Sequence, residues 1–268
     1  MLKSLYKYEF RWMFFKVLIV WALMLGLATL GYLIQLNSEI FADRISEIPV
    51  LFTMSIISKT AIDGFLNIAI SMSFTFCLVL GAVRFYRNIY SSEGYFTLCT
   101  PISPAAHVLC KFLVTVVYIF ATACVAMLAI VIRNAGNIGE YLNGIIEAVK
   151  NWALTTDSVL LIFEMILAGL ALIAFSVFKC YLAISFGQCI RNRVFGAVLF
   201  YFIIDFALEI LVIVAMCVWV IFVVNSNIGN EMVMIHSLMW CVILGTSGLA
   251  VGSACIVINR LKYRLNLE

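Results

Sequence analysis

Three acidic residues lie where acids are rare, inside long apolar runs of the sequence: Glu164, Asp205 and Glu209. A charged side chain at the centre of a bilayer costs about 2.5–3.5 kcal/mol on insertion scales, so such residues need partners or water. Asp205 and Glu209 are four residues apart and would share one helix face. At about 1.5 Å per residue, Glu164 and Glu209 reach similar depths, so the two would meet if their helices pack together.

Three interpretations of these acids remain open. They line a path for a cationic or amphipathic substrate, they bond between helices as protonated carboxyls, or they carry protons in a gradient-driven transporter. The two histidines, His107 and His236, stand alone in the sequence. No Ser-His-Asp or paired-carboxylate arrangement has catalytic spacing in a water-accessible segment. We therefore expect no catalytic residues on this chain.

The composition excludes a soluble globular protein. Of the 268 residues, 65% are hydrophobic and 12% are charged, whereas soluble domains have about 45–50% and about 25%. No Gly-x-x-x-x-Gly-Lys-Ser/Thr loop is present, so the chain does not bind ATP by that route. The nine cysteines fall in apolar runs or near the predicted inner side, and none forms a C-x-x-C pair, so we expect neither disulfides nor a metal site.

The apolar runs predict an all-α integral membrane protein with six transmembrane helices in one domain, residues 1–268. The predicted spans are 14–34, 64–83, 112–132, 158–178, 195–224 and 234–258. Of the 17 basic residues, four lie in the amino-terminal segment and three lie in each of three other segments, namely 84–111, 179–193 and the tail. The positive-inside rule then places both termini in the cytoplasm. The net charge of +3 thus reflects topology and contact with membrane lipid, not nucleic acid.

Three polar segments between or before the spans carry further patterns. Residues 1–13 are either an amphipathic helix on the inner leaflet or a solvated start to the first span. Residues 35–63 are polar, with an apolar part that we expect to dip into the interface. Apolar residues recur at helical spacing from Ile138 to Trp152. We predict an amphipathic helix there on the outer surface, acting as an interfacial anchor or as an outer gate.

The longest polar interruption on the predicted inner side runs from Arg84 to Lys111 and reads RFYRNIYSSEGYFTLCTPISPAAHVLCK. Its first seven residues continue the preceding helix. Ser91 or Ser92 can then cap a short helix over residues 93–98. The segment is therefore predicted to fold as helix, break, short helix, break and helix.

Two prolines set the second break and the next start. Pro101 stops the short helix, because the residue before a proline is pushed out of the α region. Ser103 and Pro104 restart a helix, with serine as the cap and proline at the first helical position. Four aromatic residues also crowd this segment, more than ordinary loops contain: Phe85, Tyr86, Tyr90 and Tyr95.

The run R-F-Y-R-N-I-Y-S-S-E-G-Y-F-T-L-C-T-P-I-S-P, followed by Lys111, resembles the membrane subunits of type-2 ATP-binding-cassette (ABC) export transporters of the Gram-positive bacterial type. Such permeases often carry an aromatic-basic stretch, then E-G-Y-x-T and P-I-S, before the third span. One departure is Cys99-Thr100, where the family often has a leucine before the proline. In that family this connection includes the coupling helix, which sits in a groove of the ATPase. The resemblance implies an ATPase-coupling role for five residues: Glu93, Gly94, Tyr95, Phe96 and Leu98.

The resemblance implies that the chain is a permease subunit and not itself an enzyme. It would form an export path with a second permease, identical or homologous, and couple to two cytoplasmic ABC ATPase subunits that bind the ATP and Mg. The chain itself would hold no cofactor, and it would lie in the bacterial cytoplasmic membrane. An antimicrobial peptide, a drug or a lipid would each fit as substrate. Two alternatives remain: a gradient-driven transporter using Glu164, Asp205 and Glu209, and a non-transporting, permease-like sensor.

Overall fold

The computed structural model describes residues 2–40, 49–91, 93–99, 102–152, 156–225 and 231–263. All regular structure in these ranges is helical. The helices are α1 (Leu2–Ile40), α2 (Pro49–Tyr90), α3 (Glu93–Leu98), α4 (Pro104–Arg133), α5 (Ile138–Trp152), α6 (Thr156–Gly187), α7 (Arg193–Asn225) and α8 (Glu231–Tyr263), with a 3-10 turn at Ala135–Asn137.

Six of these helices, α1, α2, α4, α6, α7 and α8, are long and apolar enough to cross a membrane. Each contains one predicted span. Along the most apolar stretch of α7 no residue is buried. An exposed apolar surface of this kind is compatible with the hydrocarbon of a bilayer. The backbone is compatible too, because an α-helix satisfies its own backbone polar groups. The all-helical class and six apolar helices of membrane-spanning length are thus confirmed, and this architecture fits a multi-pass membrane protein.

Two helices start earlier than the spans predicted within them. The amino-terminal segment is no separate surface helix; α1 runs unbroken from Leu2, in line with the alternative that this segment starts the first span. Helix α2 starts at Pro49, well before the predicted span. Proline is favoured at a first helical position, and no glycine or proline follows until Gly64. The polar segment before the second span is therefore partly helical.

Helix α5 occupies the residues where the amphipathic pattern was found. Three of its apolar side chains, Ile138, Leu142 and Ile146, are exposed. They follow one another at four-residue steps and so form a stripe along the helix. The helix itself is confirmed, whereas its place on the outer surface stays a prediction, and the side chain of Trp152 lies outside the described residues.

The chain forms two compact units, each assembled from separate stretches. The amino-terminal unit comprises Ser4–Leu80 and Val117–Asn151. Its core is a cluster of buried apolar side chains from α1, α2 and α4: Met24, Ala28, Leu66, Ala126 and Ala129. A hydrogen bond of 3.0 Å from Trp21 Nε1 to Thr122 Oγ1 ties α1 to α4 beside this core. Small residues at such positions let helices approach closely in a membrane.

The carboxy-terminal unit comprises Met1–Lys3, Gly81–Val116 and Trp152–Glu268. Within it, α6 packs against both α7 and α8. At the turn between α6 and α7 the two backbones touch. A Cβ on Gly187 would lie 2.6 Å from Ala197 Cα, and one on Gly196 would lie 2.5 Å from Gly187 O. Glycine at both positions is what allows α7 to fold back closely on α6.

Candidate functional site

Glu93 is the first residue of α3, and its carboxylate faces two arginines at the end of α2. Its Oε2 lies 3.9 Å from Arg84 Nη1, and its Oε1 lies 3.5 Å from Arg87 Nη2. The Arg84 side chain is 4% exposed and that of Glu93 is 46% exposed, so the carboxylate joins a buried guanidinium to the surface. An acid in the first turn also suits the positive end of the helix dipole. Helix α3 is thereby held against α2.

Backbone bonds fix the turn from α2 into α3. The amide of Gly94 donates to Ser91 O at 2.8 Å, and Thr97 Oγ1 donates to Glu93 O at 3.0 Å. The predicted cap was Ser91 or Ser92: the Ser91 hydroxyl donates back to Arg87 O, and Ser92 lies outside the described residues. Gly94 is buried. The short helix occupies the predicted residues, and it is held by the Gly94–Ser91 backbone bond, by the Thr97 side chain and by Glu93.

The start of α4 follows the predicted cap chemistry. Pro104 is the first residue of α4. The amide of Ala106 donates to Ser103 Oγ at 3.3 Å, which satisfies one of the unpaired amides of the first turn. The serine cap with proline at the first position is confirmed. The Thr100-Pro101 break lies outside the described residues.

The last turns of α2 are clamped onto α6 by aromatic side chains. The rings of Phe85 and Tyr181 stack with centroids 4.0 Å apart and an angle of 9° between their planes. Tyr90 donates its hydroxyl proton to Ser185 Oγ at 2.9 Å. Phe85, Tyr90 and Tyr181 are all buried. Two of the four aromatic residues noted in this segment, Phe85 and Tyr90, are therefore part of the helical core.

The first turns of α4 meet the same part of α6. Thr115 Oγ1 and Tyr181 OH lie 3.4 Å apart, and the Phe112 and Phe178 rings stack at 4.6 Å. Helix α2 also approaches α4 closely here, since a Cβ on Gly81 would lie 2.5 Å from Thr115 Oγ1. Both helices that flank α3 are thus fixed to α6 by Tyr181 and its neighbours.

Helix α8 joins this cluster through one arginine. Arg260 Nη1 donates to the backbone oxygen of Ser185 at 3.0 Å, and its guanidinium carbon lies 3.8 Å from the centre of the Phe186 ring. Guanidinium over an aromatic face is a favourable arrangement. A continuous series of contacts therefore runs from Glu93 through the end of α2 to α6 and on to α8.

Three of the five residues implied in ATPase coupling cannot be placed at the level of side chains. Glu93 and Gly94 are described above. The backbone of Tyr95, Phe96 and Leu98 is helical, and their side chains lie outside the described part of the structure. Their role stays a prediction.

Among the acids inside the spans, Glu164 has a partner that the sequence did not reveal. Its Oε2 lies 2.8 Å from His236 Nδ1, which ties α6 to α8. The Glu164 side chain is 1% exposed and that of His236 is 19% exposed. The other carboxylate oxygen, Oε1, is buried and has no hydrogen-bond partner among the described residues. Glu164 therefore makes a contact between two helices, and the choice among the three interpretations of the acids stays a prediction.

Asp205 has a different partner. Lys179 Nζ donates to Asp205 Oδ1 at 2.6 Å and lies 4.4 Å from the centre of the Tyr201 ring, so this contact ties α6 to α7. Glu209, one turn further along α7, is exposed and forms no ion pair within the described ranges. Its carboxylate sits on the bare apolar surface of that helix.

The three acids do not assemble into one polar patch in the carboxy-terminal unit. Glu164 and Lys179 are fifteen residues apart on α6, a rise of about 22 Å. The Glu164–His236 pair and the Lys179–Asp205 pair therefore lie at different depths. The described residues show no contact between Glu164 and Glu209; the partner of Glu164 among them is His236.

The amino-terminal unit contains a polar cluster that the sequence reasoning missed. Arg133 Nε donates to Asp63 Oδ1 at 2.6 Å, and Arg133 Nη1 donates to Gln35 Oε1 at 2.6 Å. The aliphatic part of Arg133 crosses Gly31, where a Cβ would lie 2.8 Å from Arg133 Cδ. The sequence did carry a signal for this cluster: Gln35, Asp63 and Arg133 all lie at the predicted outer ends of the first three spans.

Comparison with family models, with curated proteins and with solved structures finds no match to this chain. Function therefore has to be argued from the chain itself. What the chain shows is a multi-pass membrane protein whose short polar helix α3 is tied by Glu93 to a cluster joining α2, α4, α6 and α8.

Proposed function

We propose that this chain is the permease subunit of an ABC export transporter. It forms the transmembrane path together with a second permease, identical or homologous, and works with separate cytoplasmic ATPase subunits in the bacterial cytoplasmic membrane. ATP binding and hydrolysis take place on those partners. The chain's own task is to receive their movement at α3 and pass it to the spans.

One observation carries this proposal: the contacts around Glu93. A helix of six residues, interposed between two membrane-length helices, would ordinarily be free to move by itself. Here its first carboxylate holds Arg84 and Arg87, so a displacement of α3 pulls on the end of α2. A loop that merely connected two spans would not need a carboxylate paired with the buried Arg84.

The route onward is supported by the contacts of Tyr181 and Ser185. The end of α2 holds α6 through the Phe85–Tyr181 stack and the Tyr90–Ser185 bond. The backbone oxygen of Ser185 in turn accepts from Arg260 of α8. Packed aromatic side chains and hydrogen bonds of this kind have few alternative arrangements, and such elements transmit small displacements. A displacement of α3 would therefore be transmitted to α6 and α8.

The direct test is to tag the chain, extract it gently from its host and identify the proteins that accompany it. The proposal expects a soluble protein with a nucleotide-binding phosphate loop, and a second permease if the pair is heterologous. Recovery of the chain alone, with transport intact in vesicles depleted of ATP, would remove the proposal.

The matched variants are Glu93→Lys and Gly94→Pro, with Glu147→Lys as the control. Glu93→Lys places a third cation beside Arg84 and Arg87, and Gly94→Pro removes the amide that bonds to Ser91 O. Both should uncouple ATP hydrolysis from transport without loss of membrane insertion. Glu147 is an exposed acid on α5. Glu147→Lys makes the same change of net charge as Glu93→Lys at a site away from α3, so it should leave coupling unchanged. Wild-type coupling in both α3 variants contradicts the docking role.

A second candidate, a gradient-driven transporter, is favoured by the buried Glu164–His236 pair. A carboxyl and an imidazole in contact inside a span are suitable groups for holding a proton. This candidate predicts transport in ATP-free vesicles under a proton gradient, lost in Glu164→Gln. Transport that follows ATP and survives Glu164→Gln excludes it.

A further inference from the structure

Glu209 lies at the middle of α7, on the bare apolar surface of that helix. Helix α7 has 33 residues, Arg193–Asn225, and Glu209 is the seventeenth of them, so about 24 Å of helix lies on either side. No charged residue occurs from 194 to 204 or from 210 to 224. The carboxylate therefore belongs near the centre of a bilayer, where an exposed charge is costly.

The apolar side chains above and below Glu209 are exposed as well. Phe202, Phe206, Ile213 and Met216 are all exposed, and with Glu209 they follow one another at steps of four, three, four and three residues. This stripe is the Glu209 face of α7. Its spacing is the one at which two helices pack along their length, and it rises about 21 Å, most of the thickness of a hydrocarbon core.

The shape and chemistry of the Glu209 face are those of a surface for another spanning helix. Acyl chains would cover its apolar side chains but offer the carboxylate no hydrogen-bond donor. Acids inside spans almost always face other helices or water and pair with polar groups there. A covering helix therefore has to bring a positive charge or a donor to the depth of Glu209.

No helix of this chain brings a cation to that depth. The six predicted spans contain one lysine or arginine, Lys16, and one histidine, His236. Each is the third residue of its span, about 3 Å of helix from the span's edge, whereas Glu209 lies near the middle of the fifth span. Lys16 lies over the Trp12 ring, 3.0 Å from its centre. His236 contacts Glu164. This count covers the whole sequence, so it holds equally for a second copy of the chain.

The cation that lies closest along α6 is already paired. Lys179 directly follows the fourth predicted span, and its Nζ donates to Asp205 Oδ1 at 2.6 Å. Asp205 lies one turn before Glu209, on the side of α7 that meets α6. Glu209 itself forms no ion pair in the part of the chain that the structure describes. Its missing partner is thus a group that this chain does not supply.

We propose that the Glu209 face of α7 binds a spanning helix of a different membrane protein, and that this helix carries a lysine or arginine near its middle. A second copy of the chain is the poorer occupant, because it would bring the same acid and no cation. The inference goes beyond the proposed function and does not rest on it, since the contact lies within the membrane and needs no ATPase.

The test uses the photo-crosslinking amino acid p-benzoylphenylalanine in place of Phe206 in the full-length chain. The chain is expressed at a low level in its own host, so that the complex is not saturated, and cross-linked peptides are identified by mass spectrometry. The backgrounds are wild type, Glu209→Gln, Glu209→Lys and Glu147→Gln. Glu147 is an exposed acid on α5, outside the predicted spans, and controls for the loss of one negative charge.

The expected product joins position 206 to a spanning segment of a different protein that contains a lysine or arginine. Its yield should fall at least about tenfold in Glu209→Gln and in Glu209→Lys, because a hydrogen bond between charged groups is lost, and it should be unchanged in Glu147→Gln. Changing the partner's basic residue to glutamate should restore the product in Glu209→Lys. Glu209 is exposed, so the purified Glu209→Gln chain should keep the thermal midpoint of the wild type.

Several results would overturn the proposal. Products that join position 206 only to a second copy of the chain, only to lipid or only to a small cationic molecule each assign the face to another occupant. A protein partner with no basic residue in its cross-linked span, or one whose yield is the same in both Glu209 variants, shows that the charge is not recognised. None of these results decides whether an ATPase binds α3, which the Glu93 and Gly94 variants test separately.

Discussion

Replacing Gly187 with alanine tests whether the backbone contact between α6 and α7 is as close as the structure has it. The added Cβ would lie 2.6 Å from Ala197 Cα and 2.9 Å from Gly196 C. Both are backbone atoms, so no side-chain rotation can relieve the contact. Overpacking of this kind costs about 1–3 kcal/mol. We expect the upper end of that range, because a helix rather than a side chain has to move.

Gly169 on the same helix is the matched control. Nothing lies within 4 Å of a Cβ built there. Alanine at that position should stabilise the chain by about 0.8–1 kcal/mol through helix propensity alone. The two variants add the same methyl group to the same helix, yet should differ in stability by about 2–4 kcal/mol.

The assay is thermal unfolding of the purified full-length chain, with all variants in one detergent and followed by tryptophan fluorescence. Gly169→Ala should have a midpoint at or above that of the wild type, and Gly187→Ala a midpoint clearly below it. Gly196→Ala, whose Cβ would meet Gly187 O at 2.5 Å, should fall on the same side as Gly187→Ala. A Gly187→Ala midpoint equal to that of Gly169→Ala would refute the close approach of α6 and α7.

Two further variants test contacts on α6 and its neighbours. Gly81→Ala should destabilise the chain, because its Cβ would lie 2.5 Å from Thr115 Oγ1. Thr115→Ala should restore part of the lost stability, with a coupling energy of about 0.5–3 kcal/mol in a double-mutant cycle. If the two substitutions have additive effects on stability, the contact is contradicted. His236→Ala leaves the buried Glu164 without its partner and should lower the free energy of unfolding by about 1–3 kcal/mol. Glu164→Gln should lower it less, because glutamine can keep a hydrogen bond to His236. If unfolding in nanodiscs shows the larger loss of stability in Glu164→Gln, the pairing is contradicted.

Features set by local chemistry were predictable from the sequence. The six spans follow from the length of the apolar runs, and the start of α4 follows from Ser103 and Pro104. Helix α3 was placed at its observed residues, although the Ser91 hydroxyl turned out to bond back to Arg87 O. A local pattern fixes where a helix can begin or end, because the groups concerned are only a few residues apart.

Pairings between helices were not predictable in this way. Glu164 meets His236, 72 residues away, and Arg133 meets Asp63, 70 residues away. Helical spacing tells which residues share a face, but it does not tell which neighbouring helix covers that face. The same limit applies to Phe85, one of the four aromatic residues noted in this segment, which is covered by Tyr181 of α6.

The discontinuous carboxy-terminal unit has a consequence for how the chain is made. Tyr90 finds Ser185 only 95 residues later in the sequence. At about 5–20 residues per second, the ribosome needs about 5–20 s to cover that interval. Until then α3 and the ends of α2 and α4 are already synthesised while the helix that clamps them does not exist. If the proposed ATPase recognises the form of this connection that is packed against α6, it would meet that form only on chains whose synthesis has passed α6.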